Sequence, residues 1–353
     1  MSDQNLARRA EVDVAFGGTD ITEEIMPYLL GLTYIDNEAD EADDLQIQLQ
    51  DRDGLWLEEW LTEAVEASAA AKLSVSASIR RRNWLGDGTD VVLPCGAFEL
   101  DSVDASGPPA VVTIHATALP FSESFRQTKK SRAWESYKLS SIAAELAGKC
   151  GLRCMYEAKD DHFYKRVEQS KISDASFLAK LCKDAGLSMK VTDGTLVLFD
   201  RTDYEKKPPV LTIKKGSAGY AKYKLSSGAA ETRYAACRVS YVIPATGKCV
   251  EGVAKAADYD ETAKDNQQLE ITARVSNAGE AKALAEKRLR LHNAYSRTAS
   301  FTMPGDPSLV AGVNVRLEGF GGWNGKYMIS QAKHTVSGSG YTTQIQLRRC
   351  LEG

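Results

Sequence analysis

The chain has 353 residues, 43% of them hydrophobic and 26% charged, an ordinary globular composition with apolar material for two or three domains. No run of eighteen apolar residues exists, which argues against a membrane-spanning helix, and the N-terminal MSDQNLARRAEVDV lacks a secretory h-region and cleavage site, so assembly in a cytoplasm is expected. The net charge of −4 hides an asymmetry: residues 1–66 carry eighteen acids against three basic residues, a field that repels nucleic acid.

The first hundred residues alternate with the period of strands. Ala10, Val12, Val14 and Phe16 form one face, as do Leu45, Ile47 and Leu49 in DLQIQLQD and Leu73, Val75, Ala77 and Ile79 in KLSVSASI. GAFELDSV and VVTIHAT add two more strands, and Leu55–Leu61 reads as a short amphipathic helix. Short strands of this kind predict an antiparallel barrel or sandwich.

Residues 126–205 change character. Leu139, Ile142, Ala143 and Leu146 have helical spacing, with Gly148 or Gly151 as the stop. A second helix starts at Ser173 or Asp174, carries Phe177, Leu178, Leu181 and Ala185, and ends at Gly186. Each helix is followed by an extended run, LRCMYE or LSMKV, so a helix–strand unit is used twice. VTDGTLVLFD predicts a hairpin at Asp193-Gly194.

Lys206–Pro209 marks a boundary, after which strands resume: VLTI, AACRVSYVI with CVEGVAKA across Pro244–Gly247, and LEITARV. Asn277 and Glu280 predict a capping box for one long helix through Ala281, Leu284, Ala285, Arg288 and Leu291. RTASFTM, NVRLEG, GKYMISQAKHTV and YTTQIQLRR close the chain as strands.

Motifs for chemistry do not assemble. There is no P-loop, GFGGWNG has Asn324 where a dinucleotide loop needs its third glycine, and no GxSxG elbow occurs. The seven cysteines, Cys95, Cys150, Cys154, Cys182, Cys237, Cys249 and Cys350, form no CxxC pair and are expected as free thiols. Cys249 would face Val242 across its hairpin, not Cys237. His115, His162, His292 and His334 lie in different elements, and Asp160-Asp161-His162 reads as a solvated loop before it reads as a metal site. His334 reads as a barrel-face side chain, because no orienting acid or nucleophile accompanies it. No catalytic, cofactor or metal residue is therefore assigned, and no cofactor is expected. The acidic run of residues 1–66 reads as a solvated face. Arg80-Arg81-Arg82 reads as a wet strand end or loop, with docking to an acidic partner as the sharper option.

Five stretches in order resemble one family. They are DLQIQLQDRDGLW, CGAFELDSVDASGPP, SRAWESYKLSSIAAELAGKCGL, SDASFLAKLCKDAGLSMKVTDGTLVLFD, and MPGDPSLVAGVNVRLEGFGGWNGKYMISQAKHTVSGSGYTTQIQLRR. The chain resembles the phage late control protein D family, tail hub proteins of contractile-tailed phages, from about residue 10 to residue 349. The resemblance implies a mainly β, α+β chain: two tail-tube-like antiparallel β-barrels at 1–125 and 206–353, the second with the long helix, around a small α+β insert at 126–205. It implies a structural, non-enzymatic hub in the virion's tail baseplate. Three chains would form a ring of pseudo-sixfold symmetry between the hexameric tail tube and the trimeric central spike. Other baseplate proteins and the tape measure protein are further expected partners. DNA would pass through the lumen unbound, past acids of residues 1–66. The short segment after the last strand leads to the expectation that the spike tip and any cell-wall cleavage belong to separate proteins. The rival readings are a peptidoglycan hydrolase with β-barrel binding domains, or the same hub in a phage-like bacteriocin or secretion particle.

Overall fold

The computed structural model describes residues 7–56, 73–118, 125, 128–228, 233–244, 246–257, 259–263 and 266–351; the helix expected at Leu55–Leu61 lies largely outside them. The fold is mainly β and is organised by one thirteen-stranded sheet.

The N-terminal part supplies β1 (Arg9–Phe16), β2 (Thr19–Asp20), the one-turn helix α1 (Thr22–Ile25), β3 (Leu29–Asn37), β4 (Asp44–Gln50), β5 (Ser74–Arg82), β6 (Asp90–Ser106) and β7 (Val111–Thr117). Their order in the sheet is β3-β4-β7-β6-β5-β1-β2, all antiparallel. The period-two residues point inward as expected: Val12, Val14, Leu45, Ile47, Leu49, Val75, Ile79, Val112 and Ile114 share one core. Burying each such side chain contributes about 1.5–3 kcal/mol. The β5–β6 register shifts between Ala77 and Ser78, opposite Gly96 and Pro94, so Cys95 is the extra residue of a bulge. Gly96 there has φ +98°, a conformation open to glycine.

Next come β8 (Lys130–Lys138), α2 (Leu139–Lys149), β9 (Arg153–Glu157), β10 (Phe163–Ile172), α3 (Asp174–Asp184), β11 (Ser188–Thr192), β12 (Thr195–Phe199) and α4 (Arg201–Glu205). The repeated helix–strand pattern has a simple outcome. β9 and β11 flank β12 in one small sheet, β9 parallel and β11 antiparallel to it. α2 and α3 bury Ile142, Leu146, Phe177 and Leu181 in a core with Leu196 and Leu198 of that sheet. Ser173 caps α3 by accepting from the Ser176 N–H at 3.2 Å, and Gly186 ends it at φ +69°. β8 and β10 pair as a separate two-stranded ribbon.

The remainder contains β13 (Pro209–Lys214), β14 (Lys222–Ser227), β15 (Ala236–Val242), β16 (Cys249–Lys255), β17 (Gln268–Thr272), α5 (Ala278–Ala294), β18 (Arg297–Pro304), β19 (Asn314–Glu318), β20 (Gly325–Ser337) and β21 (Gly340–Arg349). β13-β19-β20-β21-β18-β14 enclose a second core of Phe301, Val315, Leu317, Tyr327, Ile329, Ile345 and Leu347. Two pairings in this part depart from the expected antiparallel pattern: β13 runs parallel to β19, and β17 runs parallel to β15. The long helix does not pack into this core. α5 lies on the separate sheet β16-β15-β17 and shares a smaller core with it through Leu284, Leu289, Cys237 and Val239. Asn277 caps α5 as expected, but Glu280 returns its bond to the N–H of Ser276, one residue before the cap.

The hairpin β20–β21 belongs to both large cores. β20 pairs with β3 from Gln331↔Asn37 to Ser337↔Gly31. β1 packs against β20 and β21, so the sheet curls back on itself, and Val336 and Tyr341 near the hairpin tip join the N-terminal core. Ile329, Ala332, Ile345 and Leu347 at its base join the other.

Candidate functional site

His334 sits where the shared hairpin meets the N-terminal core, and it is fully buried. Its Nε2 lies 3.1 Å from the Leu309 carbonyl, which can only accept, so that nitrogen carries the proton. Nδ1 then accepts from the Tyr341 hydroxyl at 2.8 Å, with Thr343 Oγ1 at 3.2 Å. The Tyr34 ring stacks beside it. Burial lowers the pKa to about 4, although the Leu309 carbonyl and the charges of Asp36 and Asp306 pull the other way. The ring is a neutral fastener in the hairpin, with both nitrogens engaged.

A charged junction lies beside it, where the N-terminal core, the α+β insert and the hairpin meet. Arg348 of β21, 1% exposed at its side chain, reaches Glu38 with Nε at 2.8 Å and with Nη2, and Glu205 of α4 with Nη1. Lys190 of β11 bonds Asp36, the Asn37 carbonyl at 2.6 Å and Asp43 at 3.2 Å. Asp36 also accepts from the Ala311 N–H at 2.7 Å. Arg201 joins Asp40 and Ser188. Burial alone would weaken the Lys190 ammonium, but Asp36 and Asp43 outweigh it and raise its pKa. Burial also holds Asp43 up at about 6 against the pull of Lys190, so Asp36 is the ion-pair partner the geometry favours. Buried charges persist when each is paired and hydrogen-bonded, and these are.

The acidic run of residues 1–66 therefore divides. Asp20, Glu23, Glu24, Glu41 and Asp53 are exposed, as a solvated face requires. Asp36, Glu38 and Asp43 are buried, and Asp40 is held by Arg201 at the surface, so these four bind the insert and the hairpin to β3. Glu11 and Asp13 pair across the sheet with Arg82 and Arg80 at 3.4 and 3.2 Å. Arg81 reaches the Gly305 carbonyl at 3.0 Å and Asp306 at 3.6 Å. The triple arginine is engaged with acids of its own chain.

The other sequence candidates are dispersed. Asp161 accepts from the N–H and hydroxyl of Ser140 at the start of α2, at 3.1 and 2.7 Å. His162 instead faces Glu280 at 3.4 Å, and His115 faces Asp104 at 3.3 Å. No group of three or more His, Cys, Asp or Glu is gathered for a metal among the described residues. The seven cysteines form no disulfide, and Cys249 pairs in register with Val242 as expected. Arg348, Glu38, Glu205 and Lys190 escaped the sequence reading. The only local signal was Asp36, which occupies an inward position after Leu32 and Tyr34.

The shared sheet and its charged junction tie the parts of the chain together, and known tail proteins have this fold. A tail protein from Neisseria meningitidis MC58 superposes with a TM-score of 0.70 over 97% of both chains at 13% identity. An Escherichia coli component of the type VI secretion system matches with a TM-score of 0.55, over 99% of this chain and 76% of its own, at 7% identity. The phage tail baseplate hub (GPD) family model matches residues 97–340, well over half of the chain, and the chain belongs to that family. It is 24% identical to the probable baseplate hub protein of Escherichia phage 186, over 93% of this chain and 90% of that one. The protein is thus a hub component of a phage tail baseplate, part of the virion.

Proposed function

We propose that three copies form a ring of pseudo-sixfold symmetry that joins a hexameric tail tube of a contractile tail to a trimeric central spike. The units at 1–125 and 206–353 act as two tube-like barrels about the insert at 126–205. Each chain then offers two similar rims, and three chains offer six. One observation carries the reading: two large β cores are fused through a single hairpin, β20–β21, which fixes their relative pose. Other baseplate proteins and the tape measure protein dock on the ring, and DNA passes through its lumen unbound. The exposed acids of residues 1–66 favour that passage by repelling phosphate. The role is structural, not hydrolytic; the engagement of His334 and of the buried acids supports this.

Native mass measured together with the tube and spike proteins tests the ring. Three copies of the 38.5 kDa chain per assembly are expected, and a stable one- or two-copy assembly with both partners present would overturn it. A turbidity assay on purified peptidoglycan tests the structural role. Clearance that is abolished by a single acid substitution would replace the scaffold with an enzyme.

A further inference from the structure

A cleft of about 760 Å³ opens between α3, α4 and α5, lined in part by Asp40, Arg201, Glu205 and Arg348 of the charged junction. Seven lysine and arginine side chains line it against three acids. Most of these charges are spent on one another. Arg201 is held by Asp40, Lys287 lies 3.2 Å from Asp200, and Arg290 and Arg348 share Glu205. Lys180, Lys183 and Arg288 remain, with no ion pair to any of them among the described residues.

Arg288 is the informative one. It is 6% exposed, and its Nε is buried with no hydrogen-bond partner. Asp184 acts on it through space without forming an ion pair. A guanidinium does not shed its proton to escape this situation. Buried charges are ordinarily paired, because leaving one unpaired costs several kcal/mol. His292, one turn further along α5, feels the same field: burial first, then Arg288 and Lys183, lower its pKa. Asp184 acts through space on Lys180, Lys183 and Arg288 alike, so one carboxylate that closes no ion pair stands against three cations, and the cleft keeps an excess of positive charge. Leu187, Leu291 and the exposed ring of Tyr295 supply apolar wall between the cations.

We infer that this cleft receives an acidic peptide segment of a partner protein, with one carboxylate on the buried Arg288, neighbouring carboxylates on Lys180 and Lys183, and an aliphatic side chain against Leu187 and Leu291. The space exceeds what a lone inorganic anion fills, and the mixed cationic and apolar lining suits a peptide carrying both acids and aliphatics. The inference goes beyond the hub reading and does not depend on the ring.

The test uses the full chain and a fluorescein-labelled peptide, Glu-Asp-Leu-Glu-Asp-Leu-Glu, followed by fluorescence anisotropy at low ionic strength. Saturable binding is expected that weakens with added salt and is lost when the acids are replaced by their amides. Lys180→Gln with Lys183→Gln changes exposed side chains only, and should lower affinity at least tenfold while unfolding remains a single cooperative transition. Arg288→Met removes the buried charge that closes no ion pair. It should lower affinity at least tenfold while the unfolding midpoint of the free protein holds or rises. Absence of saturable binding, or affinity unchanged in both variants, would overturn the inference. A thymidine oligonucleotide of equal charge that displaces the peptide completely at equal concentration would also overturn it, in favour of nucleic acid.

Discussion

Arg348 and Glu38 form a two-point ion pair across 310 residues of sequence, with Arg348 Nε 2.8 Å from Glu38 Oε2. Glu205 takes the third nitrogen of the same guanidinium, so one side chain fastens β21 to the end of β3 and to α4. Arg348→Met takes the two-point partner from buried Glu38, which keeps only Arg201 at 3.8 Å, while Glu205 retains Arg290 at 3.1 Å. It should cost about 3–5 kcal/mol, read as a lower denaturation midpoint. Arg348→Met combined with Glu38→Leu should cost less than the two single changes added together. The double-mutant cycle would return a coupling of at least about 1 kcal/mol. Strict additivity would mean that the pair contributes nothing to the junction.

His334 gives the fold a signed pH dependence. Its pKa is about 4 in the folded protein against 6.5 in the open chain. Between these values the unfolded state binds a proton that the folded state does not. The stability due to the neutral ring is therefore complete above about pH 6.5 and is lost as pH falls towards 4, by up to about 1.4 kcal/mol per unit. Asp43 works in the opposite sense over much of this range, because burial raises its pKa to about 6. Unfolding curves for the wild type and His334→Gln should thus be compared at each pH. The wild type's advantage should shrink on acidification, and a constant gap from pH 7 to pH 4.5 would contradict the buried neutral imidazole.

Gly252 seats α5 on β16. A methyl group there would collide with the backbone of Ala281 and Lys282. Gly252→Ala should cost at least about 1–3 kcal/mol, because backbone cannot step aside as a flexible side chain can. Hydrogen exchange should accelerate across 236–294 while β20 and β21 keep their protection, since among the described residues the apolar core of α5 is shared with the β15–β17 sheet and its flanking segments. Uniform acceleration along the whole chain would show that this small unit is not a separate cooperative element.

The thiols should sort by burial. Cys249 is the exposed one, Cys150 and Cys154 are half-buried, and the other four are buried. Burial pushes Cys95, Cys182 and Cys350 up to about 12 and Cys237 to about 11. A thiol reagent at pH 8 should show one fast equivalent, absent in Cys249→Ser, because the thiolate is the reactive form. Fast modification of any buried thiol would contradict the packing around it.

The parts that were legible in the sequence are those written locally. The alternation of Leu45, Ile47 and Leu49, the caps at Ser173 and Asn277, and the turn at Asp193-Gly194 each set their structure within a few residues. The ribbon of β8 and β10 left no such trace: Trp134 is the one buried residue of β8, so no period marks it. β14 is an edge strand with no buried residue, and it was equally silent. The charged junction was invisible for a different reason. By alternation, Arg348 shares the wet face of β21 with Gln344 and Gln346, and only the arrival of Glu38 and Glu205 from distant segments buries it. Which sheet the long helix covers was not legible either, because helical spacing gives the face that is covered, not the sheet that covers it.

The shared hairpin also dictates an order of events during synthesis. β3, β4 and β7 leave the ribosome early, yet the strand that pairs with the open edge of β3 is β20, some three hundred residues later. The earliest-made core thus waits, one wall short, for nearly the whole message to be read. A nascent chain stalled before residue 325 would present that edge to its neighbours, so shielding it from premature pairing is a requirement of producing this protein at all.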